Sequence, residues 1–235
     1  MRILHHDTQV LAVDKPAGML TVPGRGGGGP ALSDEVRAIV PDALPVHRLD
    51  RDTSGVVLFA VTREAHRALN AAFESRRAEK TYLALVRGDL SKPQRINASL
   101  REPRGGRVRV AGNDQGGRTA QTTVEPKERF GGYTFCTCRP RTGRTHQIRV
   151  HLALIGHPLA CDPRYGDDRG LRVGDLWSGA PDPATVVLAR TPLHAAALRI
   201  PHPRGRGWLW VESPLPDDIA RCLDLLRAAR RQSIF

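Results

Sequence analysis

The chain has 235 residues, 40% of them hydrophobic and 26% charged, which is the make-up of one ordinary globular domain whose core needs no disulfide or metal staple. No apolar run approaches the length that spans a bilayer, and MRILHHDTQ reaches polar residues within five positions, which excludes the apolar stretch of a secretory signal; the cytoplasm is the expected location. Lysine plus arginine number 36 against 24 acids, a net charge of +12, and that excess points to a polyanionic partner held by phosphate contacts, a nucleic acid rather than a membrane. Only four of the 36 are lysines. Arginine is the better fork for phosphates and stacks on bases, although GC-rich coding yields the same bias.

Along the chain, TQVLAV (8–13) reads as a strand, and DKPAGMLTVPG carries the prolines and glycines of a loop. GRGGGGP (24–30) is followed by a proline, not by the Gly-Lys-Ser/Thr of a phosphate loop, so it reads as a surface loop. In ALSDEVRAI, Ser33 is the expected N-cap of a short helix with acids in its first turn. HRLDRDTSG (His47–Gly55) sets Asp50 between two arginines, just ahead of VVLFAV, a β-branched and aromatic run of buried-strand length. Thr62 then caps a helix whose Ala65, Ala68, Leu69, Ala72 and Phe73 form one apolar stripe. KTYLALVRG (80–88) reads as a strand covered on both faces. GGRVRVAG, RTAQTTVEP and YTFCTCRP continue an antiparallel-looking series with Gly-rich turns.

THQIRVHLALIGHP is expected to be helical from near His146, with Ile148, Leu152 and Ile155 toward the core and a stop at Gly156. PDDIARCLDLLRAARR closes the chain as a helix with acids first and arginines last. Neither repeats nor a linker divide the sequence, so residues 1–235 read as a single domain of the α+β class, built on a mixed or antiparallel sheet with few helices. Of the four cysteines, Cys136 and Cys138 share one face of a strand. With no second pair at zinc-site spacing they read as core, and no metal is expected.

Three pieces carry chemistry. In an extended HRLD, Arg48 and Asp50 share one side and His47 and Leu49 the other. A half-buried carboxylate is disfavoured as an anion unless a cation stands near it; the plainer alternative is a turn acid that bonds the backbone of Thr53. In RTGRTHQIRVH, Arg149 has core neighbours and could serve as that cation. Arg144, Thr145, His146 and Gln147 form a polar patch suited to phosphates at a helix N-terminus, unless the helix is simply solvated. His146 and His151 are five apart with no acid between them, against a zinc-protease reading. Tyr82, in a chain with 5% aromatics, does either core or base-stacking work.

Taken together, these pieces resemble one family. HRLDRDTSG is similar to the catalytic motif of the RluA family of pseudouridine synthases, KTYLALVRG to its tyrosine strand, and TGRTHQIRVHLALIGHPLACDPRYG to its third signature block. DTQVLAVDKPAGMLTVPGR, RTAQTTVEP and PLHAAALRIPHP extend the resemblance from about residue 3 to 213. It implies the pseudouridine synthase fold, a long, curved mixed/antiparallel sheet with flanking helices and a central catalytic cleft. Asp50 would be the essential acid, Arg149 its salt-bridge partner, Tyr82 the ring on the flipped uracil, and Arg48 the filler of the space that the base leaves. Cys161, where relatives often have Gly, and a longer, more polar loop at 163–187 depart from the pattern. The single-domain reading resembles the short members without an N-terminal RNA-binding extension, and VPGR the RluA subgroup itself.

The implied activity is isomerisation of specific uridines in ribosomal RNA (23S), in a transfer-RNA anticodon stem-loop, or in both, by a monomer without an obligatory protein partner. Breaking C1′–N1, turning the uracil and joining C5 to C1′ involves no net redox change, so no cofactor is expected. One carboxylate suffices, as nucleophile or as base. A stacked base must first be extruded at a cost of a few kcal/mol, which favours loops and bulges. Two rivals are weighed: a hydrolase using Asp50 with Asp52, two extended residues or roughly 6–7 Å apart, and a non-catalytic RNA-binding module, for which charge alone would suffice.

Overall fold

The computed structural model describes residues 1–24, 29–103, 107–112, 116–167, 169–177, 180–205 and 207–232. Most of the Gly24–Pro30 tract and parts of the GGRVRVAG and 163–187 segments lie outside them. In chain order the elements are β1 (Arg2–His6), β2 (Val10–Lys15), α1 (Leu32–Ile39), β3 (Leu44–Pro45), β4 (Ser54–Ala60), α2 (Arg63–Glu74), β5 (Glu79–Arg87), β6 (Gln94–Asn97), β7 (Leu100–Arg101) and β8 (Arg109–Val110). They continue as β9 (Gln121–Arg129), β10 (Tyr133–Pro140), α3 (Gln147–Leu154), β11 (Leu171–Arg172), β12 (Val186–Leu188), β13 (Leu193–Pro201), β14 (Trp208–Glu212) and α4 (Asp217–Gln232). The chain divides into two compact units, Met1–Tyr82 with His194–Pro214, and Leu83–Leu193 with Leu215–Phe235.

In the first unit the strand order is β1–β2–β4–β13, with β14 on β13 and β3 on β4. β4 runs antiparallel to β2 and parallel to β13, so the sheet is mixed. Every residue of β4 is buried, and the alternation shows why. Val10, Ala12, Val56 and Leu58 meet α2 through Ala65, Leu69 and Ala72. Leu11, Val13, Val57 and Phe59 meet α1 through Leu32 and Val36, together with Leu49. A strand covered on both faces reads as a continuous apolar run. The Thr62 hydroxyl accepts the Ala65 N–H at 3.1 Å, the N-cap expected for α2.

α1 corrects one expectation. Its N-cap is Ala31, not Ser33; Ser33 lies buried in the first turn, and the cap N–H of Ala31 donates to the Asp34 carboxylate at 3.1 Å. The Asp34 side chain thus reaches back to the cap residue, and no hydroxyl caps the first turn.

The second unit orders its strands β5–β10–β9–β6, with β9 antiparallel to both β10 and β6. α4 lays Ile219, Cys222, Leu223 and Leu226 on Leu85, Tyr133 and Phe135, and Arg190 forks onto Asp218 in its first turn at 2.6 and 2.9 Å. Cys136 and Cys138 share a face as expected, their sulfurs buried and 3.9 Å apart. No helix among the described residues is long and apolar enough to cross a membrane.

Candidate active site

HRLDRDTSG is clamped in place by the loop after β2. Leu49 is buried, its N–H donating to Thr21 Oγ1 at 3.0 Å while its carbonyl accepts from the same hydroxyl at 3.1 Å. The Arg51 carbonyl accepts from Gly18 N–H and from Lys15 Nζ, both at 2.9 Å. Lys15, wholly inaccessible to solvent, also donates to the Pro16 and Met19 carbonyls at 2.9 and 2.7 Å. The turn itself is closed by the main chain, Thr53 N–H donating to the Asp50 carbonyl at 3.1 Å. Arg48 is exposed and Asp50 half-buried, on the side away from Leu49, as alternation requires.

Gly55 lets this turn enter the sheet. At φ +114° a Cβ there would stand 2.2 Å from the Ala195 carbonyl oxygen of the parallel neighbour β13, so only glycine fits. Beside it the Ser54 hydroxyl contacts His194 Nδ1 at 3.0 Å, and His194 Nε2 faces the Ser213 carbonyl at 3.2 Å. The carbonyl requires the proton on Nε2, so the serine donates to Nδ1.

His47 points inward, where Nε2 accepts the Leu58 N–H at 3.1 Å. Burial, and then the charge of Lys80, pull its pKa down to about 3, so the ring is neutral. Tyr82 packs against the apolar layer of Leu49, Val57 and Phe59. Burial, and after it the charge of Asp50, raise its hydroxyl well above the ordinary phenol range. The first unit therefore brings the expected acid and the expected aromatic within electrostatic reach of each other, with the phenol protonated.

Arg149 belongs to the second unit. α3 buries Gln147 through Leu152 and exposes Leu154 at its end, so Arg149 has the core neighbours expected of it and the alternative of a solvated helix falls. The helix ends as expected, at Gly156 in the left-handed region. Arg149 forks onto Asp162, Nε to Oδ2 and Nη2 to Oδ1, both at 2.8 Å. Asp162 is inaccessible to solvent, and its Oδ1 also accepts the N–H groups of Arg164 and Tyr165 at 2.9 and 3.1 Å. Burial pushes this carboxyl up; the hydrogen bond and charge of Arg149, with the two N–H groups, outweigh it and hold it below the usual range. The Arg149 guanidinium lies 5.3 Å from the Tyr165 ring centre, and Arg107 stands 4.5 Å from the same ring.

The polar patch at the start of α3 divides. Arg144, Thr145 and His146 retain partial or full exposure. His146 is held left-handed, at φ 52°, with Nδ1 on the Tyr165 hydroxyl at 3.0 Å. Gln147 does not belong to the surface. Its Oε1 accepts from Thr142 Oγ1 and Arg144 N–H at 2.6 and 3.1 Å, and its Nε2 donates to the Gln121 carbonyl and Thr122 Oγ1 at 2.9 and 3.0 Å. An amide with those four bonds organises the turn and does not reach for phosphate. His151 is likewise internal, between Thr122 Oγ1 and the Ala98 carbonyl. Among the described residues no group of three or more His, Cys, Asp or Glu side chains could hold a metal ion.

Sequence reasoning passed over Asp162, Tyr165 and Lys15 as site residues. The first two lie inside the DPRYG segment and Lys15 inside DKPAG, so the signal was a motif whose individual roles spacing does not disclose.

A family model described as RNA pseudouridylate synthase matches residues 9–154. The chain is 40% identical over 245 residues to ribosomal large subunit pseudouridine synthase D of Nitrosomonas europaea, covering all of this chain and 67% of that protein. It is 40% identical over 236 residues to ribosomal large subunit pseudouridine synthase C of Escherichia coli K12, covering 97% and 70%. Among solved structures, human RNA pseudouridylate synthase domain containing 4 superposes with a TM-score of 0.77 at 22% identity, covering 96% of this chain and 93% of that one. Human RNA pseudouridylate synthase domain containing 1 gives 0.68 at 25%, covering 97% and 94%. The α+β fold expected from the sequence is the pseudouridine synthase fold, and this chain is a member of the RluA family of RNA pseudouridine synthases.

Proposed function

We propose that this protein isomerises specific uridines of large-subunit ribosomal RNA to pseudouridine, with Asp50 as the reacting carboxylate. The names of its relatives favour ribosomal over transfer RNA as substrate. The observation that carries the assignment of Asp50 is its place in a turn pinned by Lys15, Gly18 and Thr21, close enough to the partly buried Tyr82 for its charge to bear on the phenol.

In this reading Asp50, Tyr82 and Arg149 are the catalytic residues. A guanidinium has five N–H donors and the fork with Asp162 uses two of them. A second carboxylate on the same group is the ion pair we assign to Asp50, and a cation there favours the anion against desolvation. The uridine is extruded from its stack, Tyr82 stacks on the uracil, and Arg48 fills the space left behind. Asp50 then attacks C1′ or C6, or takes the C2′ proton; on each route C1′–N1 breaks, C5 joins C1′, C5 loses its proton and N1 gains one. Arg144, Thr145 and His146 meet the RNA backbone. The reaction redistributes bonds within one nucleotide and needs no cofactor, and we read the enzyme as a cytoplasmic monomer.

The test is pseudouridine formation on in vitro transcribed 23S ribosomal RNA. Asp50→Asn abolishes product while RNA still binds at low salt, Asp52→Ala leaves turnover nearly intact, and Arg149→Met loses most of it. Retained activity in Asp50→Asn overturns the reading, and loss in Asp52→Ala favours a carboxylate pair.

A further inference from the structure

Arg144 and Thr145, assigned above to the RNA backbone, line a basic cleft in the second unit, about 570 Å³ in volume, together with Arg101, Arg118 and Glu102, to which no role has been given. Arg101 ends β7, opposite Arg109 of β8. Arg118 is bound edge to edge with Leu100 by two main-chain bonds of 2.9 Å. The Arg144 N–H is fixed on Gln147, which is why that buried amide matters at the surface. Three arginines thus line one opening, the Arg144 Nε–H on the Thr119 carbonyl at 3.4 Å, and Glu102 is the one carboxylate in its lining among the described residues. That carboxylate is engaged: Thr145 Oγ1 donates to Glu102 Oε2 at 2.8 Å. Arg101, Glu102, Arg118 and Thr145 are all exposed, so the hydroxyl–carboxylate bond competes with water and contributes little to stability.

Three like charges gathered in one cleft repel each other and attract an anion carrying more than one acceptor oxygen. Guanidinium forks match phosphate geometry in particular. We propose that this cleft binds a backbone phosphate of the substrate RNA, and that Glu102 is the internal anion which this phosphate displaces from Thr145. On binding, a phosphate oxygen takes the Thr145 hydroxyl while Glu102 swings to solvent. The carboxylate therefore lowers affinity and sharpens the demand for a correctly placed phosphate. This inference rests on RNA being the substrate, and adds Arg101, Arg118 and Glu102 to its binding surface.

The experiment measures the affinity of the full chain for in vitro transcribed 23S ribosomal RNA across a KCl series. Arg101→Ala and Arg118→Ala each weaken binding several-fold and reduce the slope of log affinity against log salt by about 1. Glu102→Gln moves the other way and tightens binding several-fold, because the amide oxygen keeps the Thr145 bond without the charge. Arg221→Ala, at an exposed position of α4, reports what loss of any positive charge does. Thermal melts establish that each variant is folded, and Arg101→Lys restores most of the lost slope. Unchanged or weaker binding by Glu102→Gln overturns the inference, as do arginine variants no weaker than Arg221→Ala. Pseudouridine formation by the wild type in the same buffer separates the two readings: with product formed and a flat affinity series, the phosphate cleft alone fails. With no product, the isomerase reading fails whatever the affinities show.

Discussion

Asp162 shows how much of a site can rest on a residue that need not touch the substrate. Its carboxylate takes both arms of the Arg149 fork and two main-chain N–H groups in a place without solvent. Asp162→Asn keeps the oxygen that serves Nη2, Arg164 and Tyr165, and sets an NH₂ against the Arg149 Nε–H, so the buried cation loses the charge of this carboxylate. Breaking a buried pair in this way costs about 3–5 kcal/mol, which for a chain of this length lowers Tm by roughly 6–20 °C. The carboxyl titrates below its ordinary 3.8 in the folded protein. Its contribution is therefore fully present above that pH and is lost as pH falls toward the lower native value, where the unfolded state takes up the proton first. Denaturant titrations of both proteins should show a wide stability gap at pH 7 that narrows below about pH 3.8; a gap constant with pH would refute the charged fork as its source. None of this was legible from the sequence, because the twelve residues between Arg149 and Asp162 cross a helix end and an irregular segment that no period describes. Asp50 was legible because one short motif contained the acid, its arginines and the turn.

Elements were readable where one rule dominated. β4 was visible as six apolar residues because both its faces are covered, and α2 because a hydroxyl cap and a single apolar stripe agree. α3 was legible as a helix but not in its polar residues: helical periodicity assumes one face in water, whereas this helix touches β8, β9 and β10 and buries polar and apolar residues alike. Its Gln147, Arg149 and His151 are internal because each has hydrogen-bonding partners there, and partners are not written in a hydropathy pattern. The junction of the Asp50 turn with β4 gives the sharpest test at this scale. Gly55→Ala brings a methyl within 2.2 Å of a main-chain oxygen and 2.7 Å of the carbon and nitrogen of Ala195, atoms that no rotamer change can move. β4 must then part from β13 or Gly55 must leave φ +114°, and either displaces the segment that carries Asp50. The expected result is loss of soluble folded protein, or a melting transition lowered by at least about 10 °C from overpacking and backbone strain together. A variant that melts with the wild type would show that the turn tolerates a side chain.

At the scale of the whole molecule, composition spoke most plainly through charge, and was silent on the division of the chain. The first unit is completed by residues 194–214, far along the sequence from residue 82, so no linker marks the division and none was there to be read. Charge needs no topology: 36 basic against 24 acidic residues set up a field that gathers a polyanion from any direction. If RNA is held through phosphate contacts, each contact releases condensed counterions, and affinity falls by about threefold per contact between 50 and 200 mM KCl. KM for ribosomal RNA should therefore rise steeply over that range while kcat at saturating RNA changes little, since the bonds that break and form lie within one sequestered nucleotide. Salt must not act by unfolding the enzyme, and the same field predicts that it does not: a net charge of +12 repels itself in the compact state, so screening holds or raises Tm over the same range. Parallel measurement of KM, kcat and Tm across the KCl series decides the matter. A KM that stayed flat while Tm held would mean that the excess arginine does not meet RNA.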